Sequence, residues 1–438
     1  LGVRGDAFGH AGQDLARADL GEAGHAALPG HPFHRLAPAD AAGDLFDQQA
    51  ADDLRVALGA GGFLLVHDAG SGKQRLFDYF VAMPGAGLEK ENRELSDLTP
   101  TPIDFGGTIQ MFHSGHASNG VPGFVAGMYD VHRRFGTIPM KDLLQPAIEL
   151  AERGTLINTQ QEYLHELLYT IMVLTPDSKK RFGRKEGHYR EGDRFVYPEL
   201  AETFRQLQEG GAKEFYDGDL ARQIVAESAA GGGRLTTRDL AEYAVVERKP
   251  VITRYRGAEI ASNPPPSSGG ALILHSLALL SHFDLRSLGH GSPDHLRHMV
   301  ETQLATNEVR RVRFDPHVHD EDVLDRLMAE EQLADDRQNV TNRLGNTTHC
   351  SILDAKGNAV AMTNSNGANS GVQVPGTGIQ LNSMLGEEDL NPQGFHQHPV
   401  GTRIPSMMAP TVVTQDGHVR LATGSAGSRK KRTSSSTR

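Results

Sequence analysis

The twenty residues from Asn346 to Ser365, NTTHCSILDAKGNAVAMTNS, decide how the rest of the chain is read. Thr, Cys, Ile and Leu suit a pleated surface, Lys356, Gly357 and Asn358 supply turn chemistry, and Val360 and Met362 resume an alternating run. The pattern predicts a β-hairpin whose first strand begins at a pair of threonines. A hydroxyl at the head of a strand becomes an N-terminal nucleophile when the peptide bond before it is cut. The freed α-amine, with a reference pKa of about 8, then lies within reach of the hydroxyl and acts as its general base. Ordinary β-propensity also places threonines at strand starts, so the pair alone does not decide between the two readings.

Composition sets the outer limits. The chain has 438 residues, long enough to bury a substantial core in one large or two ordinary domains. Its 55 acidic and 44 basic residues give a net charge of −11, which carries no general nucleic-acid signature. The single Cys350 excludes an intrachain disulfide framework. No apolar run has the length of a membrane span, and no basic start with an apolar core marks a secretion signal, which leaves the compartment open between cytoplasm and export.

Residues 1–58 are rich in Ala, Gly, Asp and His and keep neither a helical nor an alternating period, so they are expected to be disordered or out of pattern and receive no function. From there Gly62–His67 reads as a buried strand, Asp68–Lys73 as a turn and Leu76–Val81 as the returning strand. The Gly70–Lys73 segment lacks the first Gly and the final Ser or Thr of a phosphate loop. Phe124, Met128, Val131 and Phe135 line one helical face that Gly136 ends, with Pro122 in the first turn. Further helices are expected over Pro146–Arg153, Pro198–Glu209 and Leu220–Glu227, and a capping box from Thr236 to Asp239 opens another. Pro264, Pro265 and Pro266 lead through Ser267 and Ser268, placed to cap it, into a buried helix over Ala271–Leu280. His317 and His319, and again His396 and His398, have a spacing that two metal ligands could use, but their surroundings read as polar loops and no metal is assigned. Gly367–Gly378 reads as an irregular loop bordering a pocket, and Gly386–Pro405 as a lid.

Six ordered segments accompany the hairpin: Gly59–Lys73 (GAGGFLLVHDAGSGK), Gly120–Pro139, Tyr255–Ile273, Gly376–Leu385, Pro405–Thr411 (PSMMAPT) and Thr423–Ser428 (TGSAGS). Together with Asn346–Ser365 they resemble the γ-glutamyltranspeptidase family. The resemblance implies a four-layer αββα sandwich of the N-terminal nucleophile hydrolase type, an α/β (α+β) fold. It further implies autocatalytic cleavage between Asn346 and Thr347, giving a large-subunit region, 59–346, and a small-subunit region, 347–428, ahead of a basic, Ser-rich tail, 429–438.

By that resemblance Thr347 is the nucleophile, Ser365 stands where the family has a hydroxyl that contacts it, and the N–H groups of Gly427 and Ser428 face the oxyanion. Glu387 falls at the acidic position that meets a substrate α-amine, and Ser406 is the retained second serine of a Ser-Ser-Met motif. The implied reaction takes a small amide, glutathione-like or related, and an acceptor amine or water, with no cofactor and no metal. Nucleic-acid and membrane partners are not expected. Phe80 stands where glutamyl members carry a carboxylate-binding Arg, and Met384 where a glutamyl-binding Gln is common. The expected acyl group is therefore γ-glutamyl or a related glutaryl-type unit, and the competing reading is a catalytically inactive family member, a pseudoenzyme or truncated product, that does not cleave itself.

Overall fold

The computed structural model describes residues 58–88, 98–105, 109–329, 333 and 348–424. Thirteen strands are described in chain order: β1 Gly61–Asp68, β2 Lys73–Tyr79, β3 Thr99–Asp104, β4 Ile109–Ser114, β5 Thr155–Leu156, β6 Arg194–Phe195, β7 Val246–Arg248, β8 Val251–Tyr255, β9 Ala258–Ser262, β10 Thr348–Leu353, β11 Ala359–Ser365, β12 Thr411–Gln415 and β13 His418–Thr423. Nine of them form two antiparallel sheets, in the orders β10-β11-β1-β2-β7 and β13-β12-β9-β8.

Side-chain alternation makes the layers. Phe63, Leu65, Leu76, Ala359 and Ala361 project from the first sheet and meet Ala261 and Val412 of the second, with Met384, Leu385 and Met408 filling the space between. On the opposite face Leu64, Phe77 and Tyr79 pack against Phe124, Met128 and Val131 of the helix Phe124–Phe135. Gly127 allows this close approach, because a Cβ there would lie 2.3 Å from the Tyr79 ring. The helix Ser268–Leu280 covers the second sheet and is itself covered by Pro293–Val309, the two being joined by His275 Nδ1 and Thr306 Oγ1 at 3.0 Å. The result is the expected αββα order.

Local differences from the sequence reading have physical causes. The helix expected to start at Pro146 begins six residues earlier, as Met140–Arg153, with Pro146 inside it and exposed to solvent. Burial of Ile148, Leu150 and Ala151 on one stripe holds that helix despite the missing N–H. Pro122 precedes the helix N-cap, Gly123, instead of lying in its first turn. Ser267 occupies an N-cap position without capping: its hydroxyl donates to the Met408 carbonyl at 2.7 Å. The Thr236–Asp239 capping box is present, and Asp239 also accepts the N–H groups of Gly85 and Ala86.

Candidate active site

The site grows from the end of β11. Seven residue pairs join β11 to β1 and six join it to β10, so β11 is held on both sides up to Asn364 and by β1 to Ser365. Ala359, Ala361, Thr363 and Ser365 share the face toward the second sheet. On β10, His349 stands opposite Thr363, with Nδ1 2.8 Å from Thr363 Oγ1 and Nε2 2.8 Å from Ser351 Oγ. Burial holds the His349 imidazole below its usual pKa and favours the neutral ring. Gly424 closes over that ring: a Cβ there would lie 2.2 Å from His349 Nδ1. The residue that follows β13 therefore packs beside the start of β10.

After Ser365 the chain turns sharply. The Gly367 N–H donates to Ser365 Oγ at 3.0 Å, and Gly367 adopts a φ of 68°. The next N–H, of Ala368, donates to Glu387 Oε1 at 2.9 Å, and Ser383 Oγ donates to the same oxygen at 3.4 Å. Burial raises the Glu387 carboxyl to about 7, assisted by the charge of Asp389 and opposed by these two hydrogen bonds. The loop is stapled from below by Asn382, whose amide donates to the carbonyls of Gly59 and Gly120 and whose oxygen accepts the Gly120 N–H. Asn366 is buried with its Oδ1 lacking a hydrogen-bond partner, an acceptor directly after Ser365.

Of the residues singled out in the sequence, the structure thus brings Ser365 and Glu387 to the two ends of one short turn. Ser406 is fixed by other partners: its Oγ accepts the Met408 N–H at 3.1 Å, and its carbonyl accepts from Ser268 N–H at 2.6 Å and from the hydroxyls of Ser267 and Ser268. Asn346, Thr347, Gly427 and Ser428 lie outside the described residues. Phe80 is fully buried and stacked on Phe63 at 5.4 Å, a core residue. The fully buried Asp78 accepts from Arg248 Nε at 2.7 Å and Arg403 Nε at 3.3 Å. One member of each His-x-His pair meets the other, His319 and His398, with ring centroids 5.8 Å apart. Among the described residues no group of three or more His, Cys, Asp and Glu is arranged to hold a metal.

His349, Thr363 and Asn366 were not singled out by sequence reasoning. For Thr363 the available signal was its alternation with Ala361 and Ser365, and for His349 its place opposite Thr363 in the hairpin; Asn366 lies beyond β11, where no alternation marks it.

A family model described as Gamma-glutamyltranspeptidase matches residues 52–437. The chain is 31% identical over 405 residues to the glutathione hydrolase proenzyme of Escherichia coli (strain K12), covering 84% of this chain and 67% of that protein. It is 29% identical over 413 residues to the Acylase ACY 1 proenzyme of Pseudomonas sp. (strain SE83), covering 88% and 72%. Among solved structures, the cephalosporin acylase from Bacillus halodurans shares the fold, with a TM-score of 0.70 at 23% identity over 86% of this chain and 72% of that one. The Helicobacter pylori γ-glutamyltranspeptidase matches with a TM-score of 0.58 at 32% identity, covering 69% of this chain and 85% of that one.

Proposed function

The chain belongs to the gamma-glutamyltranspeptidase family, and from that premise we propose that it is a self-cleaving amidohydrolase or acyltransferase with Thr347 as nucleophile. In this scheme cleavage after Asn346 frees the Thr347 α-amine. Thr347 Oγ attacks the amide carbonyl, the α-amine takes the hydroxyl proton and passes it to the leaving amine, and an ester acyl-enzyme remains. Water or an acceptor amine then attacks the ester and regenerates the hydroxyl.

The observation that supports this reading most directly is the register of the β10–β11 ladder. It pairs Leu353 with Ala359 and continues to Thr348 with Asn364, the neighbours in sequence of Thr347 and Ser365. A Ser365 hydroxyl next to that pair is suited to accept or donate a hydrogen bond at the nucleophile. Gly424 against His349 supports the further assignment of Gly427 and Ser428 to the oxyanion, since Gly424, three residues before Gly427, packs beside the strand that begins at Thr348. A backbone donor in such a role is typically worth about 2.7–4 kcal/mol of transition-state stabilisation.

Glu387 is the proposed recognition group for the polar end of the acyl donor, and Ser406 a second substrate contact through its hydroxyl proton, because its oxygen already accepts the Met408 N–H. With Phe80 in the core, the guanidinium that would fork onto a glutamyl α-carboxylate is missing at that position. The acyl group is accordingly proposed to be γ-glutamyl or a related glutaryl-type unit. No step of the scheme draws on a cofactor.

Intact-mass analysis of freshly purified chain beside Thr347→Ala tests the reading. Cleavage gives fragments of 346 and 92 residues, the second being 438 − 346, in the wild type alone. An uncut wild type, or a Thr347→Ala chain cut at the same bond, overturns it.

A further inference from the structure

The side chain of Asn382, fully buried beneath the site loop, uses every hydrogen-bonding position that an amide has. Nδ2 donates to the Gly59 carbonyl at 3.0 Å and to the Gly120 carbonyl at 2.9 Å. Oδ1 accepts the Gly120 N–H at 2.9 Å and the Met384 N–H at 3.2 Å. Among short side chains only the asparagine amide offers two donors and two lone pairs: an ionised aspartate has no donor, leucine has neither, and glutamine is a methylene longer. The backbone around it is packed as closely, since a Cβ at Gly59 would lie 1.7 Å from the Gln380 carbonyl oxygen.

The partners of Asn382 belong to three separate parts of the chain, and two of them lead to the site. Gly59 lies just ahead of β1, whose first residue, Gly61, stands opposite Ser365. Met384 opens the short 3₁₀ turn Met384–Gly386 that delivers Glu387, and the turn is wedged against the rest of the fold, because a Cβ at Gly386 would lie 1.8 Å from the His113 carbonyl oxygen. Asn391 makes an informative contrast. Its Nδ2 donates to the carbonyls of Met384 and Glu387 at 3.0 and 2.8 Å, so it closes that turn on itself and fixes its shape. Asn382 ties the turn to the segment that enters β1 and fixes its place.

Resting on the amide-acylase reading above, we propose that Asn382 is a positioning residue that sets the span between Ser365 and Glu387, and through it the length of acyl group the site accepts. In that reading the reacting carbonyl lies at the Ser365 end and the polar end of the acyl group at Glu387. A fixed span distinguishes an acyl chain from its homologues one methylene shorter or longer, and a slack span accepts them all. Asn382 itself touches no substrate and carries no proton.

The test compares kcat/KM of the full chain on succinyl, glutaryl and adipyl anilides and on β-aspartyl, γ-glutamyl and δ-aminoadipyl anilides. Within the series that is cleaved, the wild type is expected to prefer one length over its neighbours by at least about tenfold at pH 8 and at pH 5. Asn382→Asp loses both donors to the carbonyls of Gly59 and Gly120, so its preference should shrink to about threefold or less at pH 8 and recover in part at pH 5, where a protonated carboxyl donates again. Asn382→Ser, which keeps one donor on a shorter side chain, should shrink it at both pH values and decides the matter if the Asp variant fails to fold. A wild type without a length preference, or variants that lower turnover alike at every length, overturn the proposal and leave the amide reading standing. A chain that cleaves none of these amides removes that reading instead, and positioning is then decided by carbon-13 NMR of the Glu387 carboxyl. Its midpoint, about 7 in the wild type, should move toward 4.5 in Asn382→Ser as the turn shifts and the carboxyl meets water. An unmoved midpoint overturns the positioning role.

Discussion

His349 and Thr363 face each other across the β10–β11 ladder and are joined by a 2.8 Å hydrogen bond between Nδ1 and Oγ1. Thr363 is fully buried, so Thr363→Val preserves shape and strands the imidazole nitrogen. The expected cost is about 1–3 kcal/mol in urea unfolding, with slower cleavage at residue 347 because the strand start loses an anchor. Burial lowers the His349 pKa from 6.5, so the unfolded chain takes up the proton first as pH falls. This contribution to stability is present above that value and is lost on acidification, and the loss should be smaller in His349→Gln.

Gly367→Ala tests the turn between Ser365 and Glu387. The new Cβ would sit 2.3 Å from Ser383 Oγ and 2.7 Å from Glu387 Oε1, at a φ of 68° that a side chain resists. Strain of about 1–3 kcal/mol is expected. Thermal unfolding should show a modest drop while kcat/KM falls far more, since the turn sets the relation of the two site residues.

Glu387→Gln has a pH-dependent consequence. The folded state raises this carboxyl from 4.5 to about 7, so between those values the native chain holds a proton that the unfolded chain releases. Stability from this group therefore falls as pH rises through that window. Relative to wild type, the Gln variant should be more stable at pH 8 than at pH 4.5 in urea titrations. An equal difference at both values would contradict the shift.

Placing a guanidinium at position 80 by Phe80→Arg is expected to fail. The side chain is fully buried and stacked on Phe63, so the variant places an unpaired charge in the core, at a cost of about 3–5 kcal/mol or more. Phe80→Leu should lose less. Urea midpoints of the two variants, with γ-glutamyl anilide turnover, check this; a stable Arg variant that gains glutamyl turnover would show that the pocket reaches position 80.

What was legible in the sequence was local. The β10–β11 hairpin, the buried run of β1 and the Thr236 capping box each follow from residues within a few positions, and all three formed as read. The start of the helix at Met140 was not legible, because packing outweighed the Pro146 signal. Nor was the role of the two serines before Ala271, whose partners lie about 140 positions away in Ser406 and Met408. Asp78 meets Arg248 and Arg403 across 170 and 325 positions, a network that no spacing reveals. At the site, Ser365 and Glu387 were visible by motif, while Asn366 and His349 acquire meaning only once burial and hydrogen-bond partners are known.

The order of the strands bears on what becomes of the two pieces if the bond before Thr347 is cut. β10 and β11, from the later part of the chain, extend one sheet by pairing to β1, and β12 and β13 extend the other by pairing to β9. The shorter piece would thus be stitched into both sheets and both sides of the core between them. Its release would require parting the β1–β11 and β9–β12 ladders at once, which is unfolding and not simple dissociation. Dilution should therefore leave the cut enzyme whole, and denaturant should separate the fragments only in the same transition that dissolves the sandwich.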